Sequence, residues 1–407
     1  MSDEGGKRTV LHGGSVWDGS GADPAPGDVA VEGGRVVAVG TGLDGDVGVD
    51  CEGMTLLPGL FDCHVHVTSP GVDLLRGLNT PFSYQFFLAE RHLGITLDRG
   101  ITTVRDALGA DLGVKQAVED GLVRGPRMQI SISAISQTGG HGDGWMCSGV
   151  DTADPAHPGR PSGIVDGPEA MRRKVREVIR AGADVIKVFT SGGVLSPRDD
   201  PRHGHFRDDE LAVLVAEAAA AGLAVMAHAQ ATDGIKAAVR AGIRSIEHGI
   251  FLDEEALGMM LEAGTWLVPT LVAPKAVIEA AEGGAALPPQ VVQKAREVMD
   301  THRAAFASAV DAGVRIAMGT DSGVGPHGRN LEELELMAAG GLPPVEVLRA
   351  TTISAAELMG VADQLGTLEP GKRADIVAVA GDPYDFTGLA GRIRAVWKDG
   401  VKVAGGE

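Results

Sequence analysis

The chain has 407 residues, a net charge of −19 at pH 7, 44% hydrophobic residues and 22% charged residues. This size and composition indicate an ordinary globular protein with one large domain and a smaller one attached. Because like charges repel, the acidic surplus argues against nucleic acid and anionic membrane surfaces as partners.

The cysteines and the apolar stretches indicate the cellular location of the protein. The three cysteines are odd in number and widely spaced, which argues against a disulfide framework and favours a reducing, cytoplasmic location. The N-terminus is polar and leads into no apolar signal-peptide core. The longest apolar stretch, residues 211–229, contains Glu217 and Gly222 and therefore reads as helix, turn and strand rather than as a membrane span.

Both ends of the chain have a β-strand texture. Residues 9–58 contain short β-type runs separated by glycine pairs, and similar runs return only at 375–379 and 393–397. We therefore predict two domains, a small discontinuous β-sandwich from residues 1–58 and 364–407 and a large inserted domain from residues 59–363.

The inserted domain alternates apolar strand-like runs with helical stretches, which is typical of repeated βα units and a parallel sheet. Helices are expected at 168–181, 208–221 and 289–312, each followed by a glycine. Eight strands are expected, and eight βα units over about 300 residues predict a closed (β/α)8 TIM barrel. They fall at 61–67, 101–105, 128–132, 184–189, 224–228, 245–248, 266–269 and 314–319. The Gly-, Pro- and His-rich stretch 139–166 is expected to be a loop over the barrel mouth.

Polar residues recur at the carboxyl ends of these strands, where barrel active sites gather. In a strand, His64 and His66 point to the same side, with Val65 opposite. Each such residue alone has an ordinary structural explanation. Together, however, they would place many polar side chains without partners at the mouth of the barrel unless a ligand binds there. The full set consists of His64, His66, Lys187, His228, His248 and Asp321.

A dinuclear metal centre would satisfy all six of these residues. The lysine is the most informative of them, because a buried amine has a depressed pKa and becomes nucleophilic toward CO2. The resulting carbamate on Lys187 would offer two oxygens to two cations.

The same segments resemble the amidohydrolase superfamily, and in particular its binuclear branch, which contains Xaa-Pro and Xaa-Arg/Lys dipeptidases and imidazolonepropionase-like proteins. The resemblance covers essentially the whole chain and is specific for the superfamily rather than for a substrate. It depends on the motifs at residues 58–66, 185–187, 226–228, 245–249, 319–321 and 366–375.

The resemblance implies a ligand set and a mechanism. His64, His66 and Asp321 would bind the first metal, His228 and His248 the second, and carboxylated Lys187 would bridge both. A hydroxide bridging the two metals would attack the scissile carbonyl, with Asp321 as the general base that passes a proton to the leaving amine. Two divalent ions are expected, zinc first, with manganese and cobalt left open.

Three further residues are candidates for substrate contact. His141 resembles the segment that holds the substrate carbonyl oxygen in the dipeptidase-like branch, and is also a catalytic candidate. His327 follows Asp321 closely and could line the mouth. Gln230 stands where some dipeptidase-like relatives carry a tyrosine, a departure that bears on substrate choice.

We interpret the charged His203-Gly204-His205 stretch as a solvated loop.

The leading hypothesis is a metal-dependent amidohydrolase that cleaves amide bonds of small substrates, namely dipeptides or N-acyl amino acids. Hydrolysis of cyclic amides, carbamates, ureas or esters, including imidazolone-like or xenobiotic compounds, stays open because the metal site acts on the carbonyl alone. Lys187 argues against a one-metal deaminase, and the complete ligand set argues against a non-catalytic binding homologue. We expect a small-molecule substrate, self-association into a homo-oligomer, and neither nucleic acid nor membrane as a partner.

Overall fold

The computed structural model describes residues 6–152 and 156–405, so part of the predicted loop 139–166 and both ends of the predicted small domain lie outside it. The described chain is an α/β protein whose strands form three sheets of eight, five and three strands. Within these residues, no helix combines the length and the apolarity needed to cross a bilayer.

The eight-stranded sheet contains strands from both ends of the sequence. Its strands are β1 (Thr9–Val16), β2 (Ala25–Glu32), β3 (Arg35–Gly40), β4 (Val47–Asp50), β5 (Met54–Pro58), β14 (Ile376–Ala380), β15 (Ile393–Lys398) and β16 (Val401–Ala404). Their order is β16-β15-β14-β5-β1-β2-β3, with β4 paired to β1. Leu57 in β5 pairs with Val377 in β14, so the two chain ends meet through antiparallel backbone hydrogen bonds.

The other two sheets are parallel and carry the candidate site. Their strands are buried along most of their length, as expected for a sheet covered on both faces. The three-stranded sheet consists of β6 (Leu60–Val65), β7 (Ile101–Asp106) and β8 (Arg127–Ile130), and the five-stranded sheet of β9 (Ala134–Ile135), β10 (Val185–Phe189), β11 (Ala224–Ala229), β12 (Ser245–His248) and β13 (Trp266–Val268).

Helices follow most of the parallel strands. The three helices predicted in the intervals are present, and the long one ends at Gly313, whose φ of +81° is a left-handed conformation that glycine adopts readily. The helices are α1 (Leu74–Asn79), α2 (Tyr84–Asp98), α3 (Leu112–Glu119), α4 (Pro168–Arg180), α5 (Asp208–Ala220), α6 (Thr232–Arg240), α7 (Glu254–Ala263), α8 (Val272–Glu282), α9 (Pro289–Ala312), α10 (Glu332–Ala339), α11 (Pro344–Ala350) and α12 (Ile353–Leu358), with a short 3-10 helix at Leu389–Gly391.

The eighth predicted strand, 314–319, is not a regular strand. Ile316 makes one parallel bridge with Leu267, which lies in β13. On the other side, the amide of Cys63 in β6 donates to the carbonyl of Met318 at 2.9 Å. This segment therefore lies between the edges of the two parallel sheets. It leaves the extended conformation at Asp321, where φ is +59°, and this turn directs the carboxylate toward β6.

The third predicted strand, 128–132, is also interrupted. It ends at Ile130, and Ile132 has a φ of +65°, a conformation that a β-branched residue rarely adopts. The chain resumes as β9 after this break and pairs with β10.

Candidate metal centre

The three residues predicted to bind the first metal lie together. One ligand atom from each of His64, His66 and Asp321 lies within 4.8 Å of the others. Oδ1 of Asp321 is 2.9 Å from Nε2 of His66 and 3.4 Å from Nε2 of His64. The amide of Asp321 also donates to the carbonyl of His64 at 2.8 Å, which fixes the turn against the end of β6.

The two residues predicted to bind the second metal come from neighbouring parallel strands. His228 is near the end of β11 and His248 is the last residue of β12. The ring centroid of His248 is 4.6 Å from that of His228 and 5.2 Å from that of His64. The four imidazoles therefore form one continuous group.

Each of these imidazoles has one nitrogen engaged by a protein atom. Such a bond fixes the orientation and tautomer of a ring and leaves its second nitrogen for a metal. The pairs are His64 Nδ1 with Glu247 Oε2 at 2.8 Å, His66 Nδ1 with the Leu108 carbonyl at 3.1 Å, His228 Nε2 with the Gly192 carbonyl at 3.1 Å, and His248 Nδ1 with Thr270 Oγ1 at 2.6 Å.

The protonation states of three imidazoles and of the Asp321 carboxylate also suit metal binding. Burial holds the pKa values of His64, His228 and His248 well below the usual histidine value, so these rings are neutral. Burial raises the pKa of Asp321, but His64 and His66 outweigh it and lower that pKa overall. Burial lowers the pKa of His66, but its hydrogen bond to Asp321 and the charge of Asp321 outweigh burial and raise that pKa. Three of the four imidazoles and the carboxylate are therefore in the forms that a divalent cation requires.

Lys187 is buried among these groups, with 1% of its surface exposed. Burial lowers the pKa of its amine to about 8, while Glu247 and Asp321 oppose this shift. Roughly a tenth of the amine is therefore uncharged at pH 7, far more than for an exposed lysine, and the uncharged amine is the form that reacts with CO2.

Sequence reasoning missed the partner of His64. Glu247 is fully buried, and it accepts hydrogen bonds from Nη2 of Arg105 at 3.0 Å and from Oγ of Ser245 at 2.5 Å. Arg105, itself 2% exposed, also donates from Nε to the carbonyl of Cys63 at 2.7 Å. A glutamate and an arginine inside apolar strands were the available signals, because charged residues are buried only when paired.

A second buried carboxylate, also missed, supports the Asp321 turn. Asp62 accepts from the amides of His64 and Thr320, both at 3.1 Å, and from Nδ2 of Asn330 at 2.8 Å. Burial raises the pKa of Asp62 to about 6 despite these bonds. Asp62 thus connects β6 to the segment that presents Asp321.

The substrate-contact candidates have different positions. The His141 ring stacks on His228, with centroids 4.3 Å apart and an interplanar angle of 19°. Gln230 is buried, and its amide oxygen has no hydrogen-bond partner among the described residues. His327 lies behind the first ligand group, with Nε2 3.2 Å from the carbonyl of His66 and Nδ1 3.3 Å from Oγ1 of Thr96. Both of its nitrogens therefore have protein partners, and its substrate role stays a prediction.

The interpretation of residues 203–205 as a solvated loop was wrong for His205. This residue is 6% exposed, and burial lowers its pKa to about 4. The reason is a backbone hydrogen bond: the amide of His205 donates to the carbonyl of Thr190 at 2.7 Å, which returns the loop to the end of β10. His203 is exposed, as expected.

Similarity to known proteins extends over most of the chain. A model of the amidohydrolase family matches residues 55–403. The ochratoxinase of Aspergillus niger is 38% identical over 365 residues, which cover 85% of this chain and 75% of that protein.

Two solved structures are similar over nearly the whole chain. A prolidase complexed with N-methylphosphonate-L-proline has a TM-score of 0.90 at 37% identity, covering 97% of this chain and 99% of that one. An Xaa-Pro dipeptidase with methionine bound in its active site has a TM-score of 0.88 at 33% identity, with the same coverage of 97% and 99%.

Proposed function

Because the chain belongs to the amidohydrolase family and is a hydrolase of carbon–nitrogen bonds, we propose that it cleaves amide bonds of small substrates with a binuclear metal centre. The observation that carries this proposal is the hydrogen bonding of the four imidazoles. One nitrogen of each ring is tied to an atom outside the ligand set, which leaves the second nitrogen for the metal ions that we propose.

The residues fit two divalent ions. His64, His66 and Asp321 would bind the first ion, and His228 and His248 the second. Lys187, as a carbamate formed with CO2, would bridge both ions, which its burial and its pKa of about 8 support. Imidazole and oxygen donors suit zinc, which we take as the first choice.

Bound divalent ions would acidify a water molecule and polarise the scissile carbonyl. The protein's own contribution is proton transfer at Asp321, whose carboxylate would accept the proton of the attacking water and pass it to the leaving amine. Two features favour this role. Asp321 is the carboxylate beside both His64 and His66, and its lowered pKa keeps it ionised before the reaction.

Substrate contact is assigned to residues next to the second ligand pair. His141 would bind the carbonyl oxygen of the scissile amide, since its ring lies against His228. Gln230 would accept a hydrogen bond from a substrate N–H, because its buried amide oxygen has no partner among the described residues. For a substrate carboxylate we propose Arg198, an exposed cation on the loop that contacts His141, with its guanidinium 5.2 Å from the Trp145 ring centroid.

The substrate class that we propose is a dipeptide or an N-acyl amino acid. Two similar structures, the prolidase and the Xaa-Pro dipeptidase, hold an amino acid or an N-substituted proline. Cyclic amides, carbamates, ureas and esters remain the alternative class, because the same centre would act on any of these carbonyls.

The finer architecture is part of the same proposal. The two parallel sheets, joined through residues 314–322, would form a (β/α)8 barrel over residues 59–363, and the eight-stranded sheet would belong to a β-sandwich from residues 1–58 and 364–407. The bridges of Ile316 to Leu267 and of Ser322 to Val65 support closure of the barrel. A cytoplasmic location and homo-oligomerisation stay predictions from the sequence.

The test combines metal analysis with hydrolysis assays on the wild type and on Lys187→Ala. We expect about two divalent ions per chain and cleavage of members of a panel of dipeptides and N-acyl amino acids. Lys187→Ala should lose that cleavage, whereas Lys174→Ala, which removes a lysine ion-paired to Glu177 on α4, should retain it. Two metals with cleavage only of lactams, carbamates or esters would transfer the assignment to the alternative class, and the absence of tightly bound metal would overturn the mechanism.

A further inference from the structure

The loop that follows β10, residues 190–204, contains a buried carboxylate that the sequence did not indicate as functional. The side chain of Asp199 is 4% exposed. Oδ2 accepts from the amide of Gly193 at 3.1 Å and lies 3.3 Å from Nδ1 of His141, and Oδ1 accepts a short hydrogen bond from Oγ of Ser196. A buried carboxylate with this many partners fixes the groups around it.

The position of His141 is restricted in two ways. Stacking on His228 at 4.3 Å and an edge contact with Phe189 at 5.0 Å fix the plane of its ring. Contacts from Nδ1 to Oγ of Ser196 at 2.6 Å and to Asp199 fix the rotation of the ring within that plane. The Nε2 edge is therefore the side left for a substrate atom.

The proton on Nδ1 follows from counting donors. The single hydroxyl hydrogen of Ser196 is donated to Asp199, so Oγ can only accept from His141. Asp199 is ionised, since the charge and hydrogen bond of His141 outweigh burial and lower the pKa of Asp199 to about 2. Both neighbours of Nδ1 are thus acceptors, so Nδ1 carries a hydrogen whether or not Nε2 is protonated as well.

Asp199 is itself held by a lysine from α9. Nζ of Lys294 donates to the carbonyls of Gly193 at 3.1 Å and Ser196 at 2.7 Å, makes a short bond to the carbonyl of Asp199, and lies 3.3 Å from Oδ1 of Asp199. The loop is therefore wrapped around one largely buried ammonium group. Gly193 completes the arrangement, because a Cβ at this position would lie 2.2 Å from the His141 ring.

We propose that Asp199 is a positioning residue that accepts from Nδ1–H of His141, so that the hydrogen donated to the substrate carbonyl is a second one on Nε2, and that Lys294 fixes Asp199 in that place. The proposal rests on the proposed function, since that function gives His141 its contact with the substrate carbonyl. Asp199 itself does not touch the substrate and acts through His141 alone.

The test uses Asp199→Asn in the full-length, metal-loaded enzyme, with Asp200→Asn as a matched control at an exposed neighbouring aspartate. We expect Asp199→Asn to lower kcat by about 10- to 100-fold with a much smaller change in KM, and Asp200→Asn to change neither. In a His141→Ala background, Asp199→Asn should have no further effect on kcat. Additive losses in the double variant would overturn the proposal.

A second readout does not depend on turnover. In 15N NMR spectra of histidine side chains, Nδ1 of His141 should be fully protonated in the wild type and in Asp200→Asn. In Asp199→Asn, Nδ1 should be only partly protonated. Failure of the proposed function would leave this NMR result intact, whereas an unchanged His141 signal in Asp199→Asn would overturn the positioning role. If Asp199→Asn does not fold, Ser196→Ala removes the 2.6 Å contact to Nδ1 and the hydrogen bond to Asp199 but keeps the Asp199 carboxylate. His141 should then keep its proton on Nδ1, and loss of that proton would overturn the assignment to Asp199.

Discussion

Nδ1 of His64 lies 2.8 Å from Oε2 of Glu247, and both side chains are almost completely buried. Because the glutamate fixes which nitrogen of the ring faces Asp321, we expect Glu247→Gln to weaken metal binding by about 10- to 100-fold. The measurement is metal retention during titration with a chelator.

The matched control for this variant is Glu255→Gln, which changes a glutamate with 73% of its side chain exposed on α7. Glu247→Gln also leaves Arg105 without its ion-pair partner, so a loss of about 3–5 kcal/mol in unfolding free energy is expected and the titration is made well below the melting temperature. Wild-type metal affinity in Glu247→Gln would contradict the orienting role.

A second prediction concerns pH and the buried His302 on α9. Its Nε2 lies 3.0 Å from the carbonyl of His248, and burial lowers its pKa from 6.5 to about 4. The unfolded chain therefore binds a proton between pH 6.5 and 4 that the folded chain does not. The stability of the folded state must fall as the pH falls through this window, by about 3 kcal/mol from this residue.

Replacing this histidine should remove that part of the pH dependence. In urea unfolding of metal-free protein at pH 7 and pH 4.5, His302→Gln should lose less stability on acidification than the wild type. His12→Gln, at an exposed position in β1, should behave as the wild type does. An equal loss in His302→Gln and wild type would mean that His302 is not held neutral in the folded state.

A third prediction tests the close approach of backbone and ring at Gly193. A methyl group there would lie 2.2 Å from the His141 ring, so Gly193→Ala must displace His141 or the loop. A displacement of about 1 Å at a reacting group can lower the rate roughly 100-fold, and we expect a loss of that order in kcat. Gly258→Ala in α7, where nothing lies within 4 Å, should keep full activity and gain up to about 1 kcal/mol in stability. Equal activity in the two variants would show that the loop can move without consequence.

The clustering of candidate ligands could be anticipated because it depends on local rules. Period-two alternation places His64 and His66 on one side of a strand, and parallel strands bring His228 and His248 to the same edge. The structure brings all six predicted ligand residues together, although their role in binding two metals stays a proposal. The eight-stranded sheet likewise joins segments from both ends of the chain, whose similar β-strand texture was visible in the sequence.

The supporting residues could not be anticipated in the same way. Glu247 is 183 positions from His64, and Lys294 is 95 positions from Asp199, so neither pair has a local spacing that marks it. His205 was misread because its loop is charged, whereas its amide donates to the carbonyl of Thr190 and its ring is buried. These contacts join residues that are distant in sequence, and they depend on the path of the loops between the strands. The spacing of residues along the sequence does not specify that path.

The last prediction concerns Gln230, whose buried amide oxygen has no partner among the described residues. A buried polar atom without a hydrogen bond lowers stability by about 1–3 kcal/mol, so Gln230→Met, which keeps the length of the side chain, should hold or raise the melting temperature. If that oxygen serves a substrate N–H, the same variant should raise KM for dipeptides and leave KM unchanged for ester analogues that lack the N–H. Gln293→Met, at an exposed position on α9, is the control and should alter neither KM value. A stabilised Gln230→Met variant with unchanged KM for both substrates would assign Gln230 to packing, and a KM that rises equally for amides and esters would place its contact elsewhere on the substrate.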